Sequence, residues 1–199
     1  MELPPPKRDK DKKKRPEYSE AKKPDKNAPS FDVQTILWKK SKVDFTALPG
    51  VGSSTALLIY AELGGVNVSP WRSEKEFASW LKLCPGNNIS GGKRRRSKKQ
   101  PCANYISQAL RMASLGAKKS SSFIGAHIRR ITGRTDKPKG IKAGAHKIAC
   151  LLYNMCKNGW EYHEKGEDFY EKRHSERYLK NLTKRAKEFG FDLVKQAIA

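Results

Sequence analysis

Ile141-Lys142-Ala143-Gly144-Ala145-His146-Lys147-Ile148-Ala149-Cys150-Leu151-Leu152-Tyr153-Asn154-Met155-Cys156-Lys157-Asn158-Gly159 is the stretch whose pattern decides the fold class. Ile141, Ala145, Ile148, Leu152 and Met155 recur at spacings of three and four, so a helix would gather them on one face. Asn158-Gly159 supplies the stop, because glycine enters the left-handed conformation that ends helices at little cost. Working outward, Phe123, Ile124, His127, Ile128 and Ile131 predict a second such helix, and Ile106, Leu110 and Ala113 a third. Between the first two, the run from Gly133 to Gly140 with Arg134, Lys137 and Lys139 reads as a basic loop. Ser73-Glu74-Lys75-Glu76 forms a capping box ahead of Phe77, Trp80 and Leu81, which read as core. Past Gly159 the pattern repeats with Phe169, Tyr178, Leu182 and Phe189, carrying Lys and Arg between them. Near the N-terminus Phe31, Ile36, Leu37 and Trp38 form a short amphipathic segment. No period-two run of β-branched residues interrupts this, so the fold class is all-α.

The chain has 199 residues, enough for one domain of ordinary size. Forty-two Lys and Arg against 20 Asp and Glu leave a net charge of +22. That excess points to a polyanionic partner, nucleic acid before membrane. No apolar run approaches the ~20 residues of a spanning helix and no signal-peptide core opens the chain, so an intracellular, cytoplasmic, nucleoid-associated protein is expected. Residues 1 to about 30 are Lys/Arg-rich, aromatic-poor and broken by prolines, and read as a disordered basic linker or arm along a phosphate backbone. Cys84, Cys102, Cys150 and Cys156 form no CxxC pair and read as reduced thiols. His146 and Cys150 would be half of a metal site with no second half evident.

Chemistry concentrates between Cys84 and Asn104. Pro85-Gly86-Asn87-Asn88 is turn-forming, Ser90 stands beside Gly91 and Gly92, and Lys93, Arg94, Arg95, Arg96, Lys98 and Lys99 follow almost unbroken. Glycines beside a serine leave room for a bulky partner, and the cations suit a phosphate. Ser90 is the best nucleophile candidate, yet no local base or metal ligand activates it. On residues alone the stretch is a phosphate-binding loop. Leu48-Pro49-Gly50-Val51-Gly52 followed by Ser53 and the apolar run Ala56–Ala61 resembles a helix-hairpin-helix element over about 45–65. There Gly50 and Gly52 shape the hairpin, a serine caps the next helix, and Gly64-Gly65 ends it. Free amides at that helix start would bind DNA phosphates. The carboxylates are scattered, so a two-metal nuclease centre is not expected within this chain.

Together these stretches, with Trp71–Leu81, Leu83–Asn88, Pro101–Asn104, Ala145-His146-Lys147 and the run from Tyr170 to Phe191, resemble the C-terminal domain of insertion-sequence transposases of the "IS one-ten" family, the bridge-RNA-guided recombinases. The resemblance implies a serine at the position of Ser90 that attacks the scissile DNA phosphate and forms a covalent serine–DNA intermediate. It also implies magnesium held by four carboxylates of an N-terminal RNase-H-like domain, which these 199 residues do not contain. DNA, a structured guide RNA and further subunits, either copies of this chain or a full-length transposase, are the implied partners. The chain is accordingly expected to be a fragment, a split enzyme or a decayed gene product. A non-catalytic nucleic-acid-binding module is the alternative the charge alone supports. A ribosomal-type RNA-binding protein would share the charge and leave the serine loop unexplained.

Overall fold

The computed structural model describes residues 29–84, 88–95, 104–159 and 162–194. Helix α1 spans Val33–Ser41, a 3-10 turn Phe45–Ala47, α2 Ser53–Glu62, α3 Glu74–Trp80, α4 Tyr105–Ala117, α5 Phe123–Arg134, α6 Lys137–Asn158 and α7 Gly166–Glu188. Two three-residue strands, β1 at Asn88–Ser90 and β2 at Lys93–Arg95, form a hairpin between α3 and α4. The fold is all-α, with that hairpin as its one sheet among the described residues. None of the described helices is long and apolar enough to cross a membrane.

Helix α6 is the axis. Gly144, Ala145, Ile148, Ala149, Leu152 and Met155 are buried along it, against α3, α4 and α5. The three-four spacing of these positions makes a continuous apolar stripe, and its neighbours answer with Phe77, Ile106, Leu110, Ile124 and Ile128, each fully buried. Burying one such side chain contributes about 1.5–3 kcal/mol. Close approach needs small residues at the crossings. A methyl on Gly140 would meet Thr132 of α5, and one on Gly144 would meet both Ser114 of α4 and Ile128 of α5. Ser114, itself buried, donates a hydrogen bond to the Ile141 carbonyl at 2.9 Å, which locks α4 to α6.

Caps set most boundaries. Asp32, Ser73, Asn104 and Ser122 each accept a hydrogen bond from the amide three residues on, at α1, α3, α4 and α5. Glu76 reaches back to the Arg72 amide at 2.8 Å, one residue earlier than a standard capping box would have it. Gly64 and Gly65 end α2 with amides bonded to the Ala61 and Tyr60 carbonyls, the Schellman arrangement.

Four expectations need correcting. The basic loop at 133–140 shrinks to Thr135-Asp136, because Asp136 is the N-cap of α6 and Pro138 lies in its first turn, where a missing amide costs nothing. In α1 the buried residues are Val33 and Leu37, whereas Phe31 and Ile36 are exposed; the Asp32 cap leaves Phe31 outside the helix. Trp80 is 42% exposed rather than core, lying over Trp71 and Phe77 with ring centroids 4.7 and 6.0 Å away. Helix α7 buries no residue at all. It rests on α5 through Phe169 and Tyr170 against Phe123, through Glu167 paired with Arg129, and leaves Tyr178, Leu179 and Phe189 exposed.

Candidate nucleic-acid interface

The Ser90 segment is tethered at both ends by helix caps. At its start, α3 closes with Lys82 in the left-handed region (φ 55°), and the Leu83 amide bonds the Ala78 carbonyl at 3.0 Å. Leu83 is buried beneath this turn, and the Cys84 thiol lies 3.9 Å from the Lys75 carbonyl. At its end, Asn104 caps α4 by accepting from the Ser107 amide at 3.3 Å. Burial and capping thus fix where the segment leaves and rejoins the bundle.

What lies between is more regular than a loop. Asn88 pairs with Arg95, Ile89 with Arg94 and Ser90 with Lys93 in an antiparallel ladder. Gly91 and Gly92 form its two-residue turn with φ of 58° and 71°. Positive φ at both central positions is the signature of a type I′ turn, whose twist matches that of paired strands. Gly91, Gly92 and Lys93 are exposed, and a methyl placed on either glycine would meet nothing among the described residues within 4 Å. The register sets Ser90 directly opposite Lys93, at a Cα separation of about 5 Å in such ladders. Arg94 and Arg95 follow along the same strand. Pro85, Gly86, Asn87, Arg96, Lys98, Lys99 and Cys102, like the basic arm up to residue 28, lie outside the described residues.

The second predicted element behaves differently. Leu48-Pro49-Gly50-Val51 is a type II turn, with Gly50 at φ 78° and the Val51 amide bonded to the Leu48 carbonyl at 3.1 Å. A methyl on Gly50 would collide with the Ala113 carbonyl and crowd the Ala117 amide of α4. Close packing therefore demands this glycine. The expected serine cap is absent: Gly52 occupies the N-cap of α2 with no side-chain hydrogen bond, and Ser53 is already helical. One turn of 3-10 helix, rather than an α-helix, precedes the turn.

Sequence alone left His127 and His146 unplaced; the structure makes them neighbours. Burial lowers the His127 pKa first, and the charges of Lys147 and His146 lower it further. His127 Nδ1 also lies 3.4 Å from the Tyr170 hydroxyl. His146 is held low mainly by burial, with Glu74 opposing and Lys147 and Lys142 assisting. Its Nδ1 stands 3.8 Å from the Cys150 thiol. Burial, then Glu74, push that thiol up to about 11, and Cys84 adds to the same shift. Cys84, Cys150 and Cys156 are free thiols, and burial pushes Cys156 up to about 12, so neither α6 cysteine is a thiolate at neutral pH. Cys150 therefore stands close to Cys84, where the Ser90 segment leaves the bundle, and His146 lies against Cys150. That proximity depends on how α3 packs against α6.

The described residues do not fit a divalent-metal site: no group of three His, Cys, Asp or Glu side chains among them is placed to hold an ion. Glu74 and Glu76 are committed instead to Asn154 and to the Arg72 amide.

Residues 44–130, from the 3-10 turn through the Ser90 hairpin to α5, match the family model described as Transposase IS116/IS110/IS902 family. This stretch is similar to the transposases that the family model describes. No curated protein and no solved structure matches the chain significantly. The matched stretch contains both predicted glycine turns and the whole hairpin, while all of α6 and α7 lies beyond it. The similarity points to transposition and recombination, and so to DNA.

Proposed function

We propose that the Ser90–Lys93 hairpin is the catalytic element of the transposase domain, and that Ser90 is the nucleophile that attacks a DNA phosphodiester. The observation that carries this reading is the exposed type I′ turn, which holds a hydroxyl residue opposite a lysine with two unobstructed glycines between them. A serine–phosphate ester forms as one P–O bond to a deoxyribose breaks. The serine proton leaves to a base, and the released strand-end oxygen takes a proton in turn. Lys93, Arg94 and Arg95, with Arg96, Lys98 and Lys99 beyond them, neutralise the phosphate and the charge that grows on it. Gly91 and Gly92 let the backbone come close.

His146 stays largely neutral near pH 7 and so retains the capacity to accept a proton. Lys142 and Lys147 add positive charge around His146. Gly50 and Gly52 serve the DNA backbone only through the turn they shape, since Gly50 is committed to α4. The carboxylate domain, its magnesium, a guide RNA and further subunits belong to the same proposal through the family resemblance, and no step here is routed through them.

The test uses strand cleavage of cognate DNA by this chain combined with a carboxylate-bearing transposase subunit. Ser90→Ala is expected to abolish cleavage while leaving DNA affinity within about twofold, since one uncharged hydroxyl adds nothing to counterion release. Cleavage that survives the substitution would remove Ser90 from the chemistry. The net charge of +22 also favours a second reading, a binding module without catalysis. In that case affinity falls steeply with salt and no cleavage accompanies it in any combination.

A further inference from the structure

Helix α7 carries rings where a helix of its charge would ordinarily carry only solvated side chains. Tyr170, His174 and Tyr178 follow at intervals of four, so their rings line up along one face. Centroids are 6.4 Å apart for Tyr170–His174 and 6.2 Å for His174–Tyr178, with planes inclined by 32° and 28°. His127 of α5 continues the row, 5.9 Å from Tyr170. Tyr178 is 56% exposed.

Arginines surround this row. Burial raises the Tyr170 pKa, while the positive charges of Arg130, Arg177 and Arg134 work against the shift, which places all three close by. The same Arg130 and Arg177, after desolvation, depress His174. None of the three forms an ion pair among the described residues. Arg173, Arg177, Lys180, Lys184 and Lys187 recur at spacings of three and four, forming an exposed basic stripe alongside the rings.

Charges spaced along a helix beside a row of flat rings suit one chemistry well. Duplex DNA hides its base faces and needs only the cations, whereas an unpaired strand offers phosphates to the arginines and base faces to the rings. We propose that the α5–α7 face binds single-stranded DNA, with bases stacking on Tyr178 and His174 and the backbone held by Arg130, Arg134 and Arg177. The inference rests on the family's dealings with DNA but not on the chemistry of Ser90. Recombination exposes unpaired strands whichever residue cuts them.

Its test is fluorescence anisotropy of the full chain, carrying Ser90→Ala throughout so that the outcome is independent of catalysis. The probes are a labelled mixed-sequence DNA strand of about 16 nucleotides, the RNA strand of the same sequence and the DNA duplex. Tyr178→Ala is expected to weaken single-strand binding by about five- to a hundredfold, the range seen when one stacked base loses its ring. Tyr178→Phe should retain the affinity, and duplex binding should move by less than about twofold. Arg177→Gln should lower the logarithmic salt slope on the single strand by about 0.7, one phosphate's worth. Tyr178 and Arg177 are exposed, so unchanged thermal melting will confirm that the fold is intact. Unchanged single-strand affinity in Tyr178→Ala, an equal loss on duplex, or a loss confined to the RNA strand would each overturn the proposal.

Discussion

Gly50 and Gly91 both lie in tight turns at positive φ, and both read from sequence as places where DNA could approach, yet they do opposite work. A side chain at Gly50 would strike the α4 backbone, whereas one at Gly91 would meet only solvent. The first glycine is required by what already touches it. The second keeps clear a space that nothing among the described residues fills. A small residue beside a basic segment therefore marks an approach path only where the fold leaves its far side empty.

The comparison breaks first at Gly50. Gly50→Ala combines backbone strain with a clash against atoms that cannot rotate away, and should lower the unfolding free energy by about 3–5 kcal/mol in urea titrations. A loss below about 1 kcal/mol would mean that α4 is not packed against this turn. Gly144→Ala comes next, at about 1–3 kcal/mol, because Ser114 and the Ile128 side chain have some freedom to yield. At the open turn the same stability assay should register almost nothing. Gly91→Asn keeps the residue type that type I′ turns favour, so its stability should stay within about 0.5 kcal/mol of the parent. Strand cleavage by the same variant should fall, because the new side chain occupies the approach to Ser90.

The smallest expected effect concerns pH. His127 and His146 both have pKa values lowered from an ordinary 6.5, burial being the main cause. Their neutral forms therefore contribute fully above that value, and the contribution is lost as the pH falls below it towards the lowered folded values. Melting temperatures should drop between pH 7.5 and 5.5, and the drop should shrink in His127→Asn. A melting temperature that rises on acidification would contradict the assigned burial.

Periodic apolar spacing made α4, α5 and the body of α6 legible, because one residue in three or four on a buried stripe is a local signal. The start of α6 was not, since Lys137-Pro138-Lys139-Gly140 resembles a loop until Gly140 is seen packed against Thr132. Helix α7 showed the same kind of spacing and buries nothing, so amphipathic pattern alone did not report whether a partner surface exists. At the candidate site, Ser90, its two glycines and the cations could be picked out by composition. The hairpin register that sets Ser90 opposite Lys93 could have been read from Gly91-Gly92, the one two-residue turn signal there. The nearness of Cys150 and its neighbour His146 to Cys84 could not, because it depends on the α3–α6 contact, which joins residues far apart in the chain.

The account stands or falls on whether the Ser90 hydroxyl becomes bonded to DNA. Peptide mapping by mass spectrometry, after trapping the chain on a nicked cognate substrate in the presence of a carboxylate-bearing transposase subunit, reads that bond directly. The account predicts a nucleotide remnant on the peptide containing Ser90 and none in Ser90→Ala. A remnant on any other residue, or one that persists in Ser90→Ala, would contradict it.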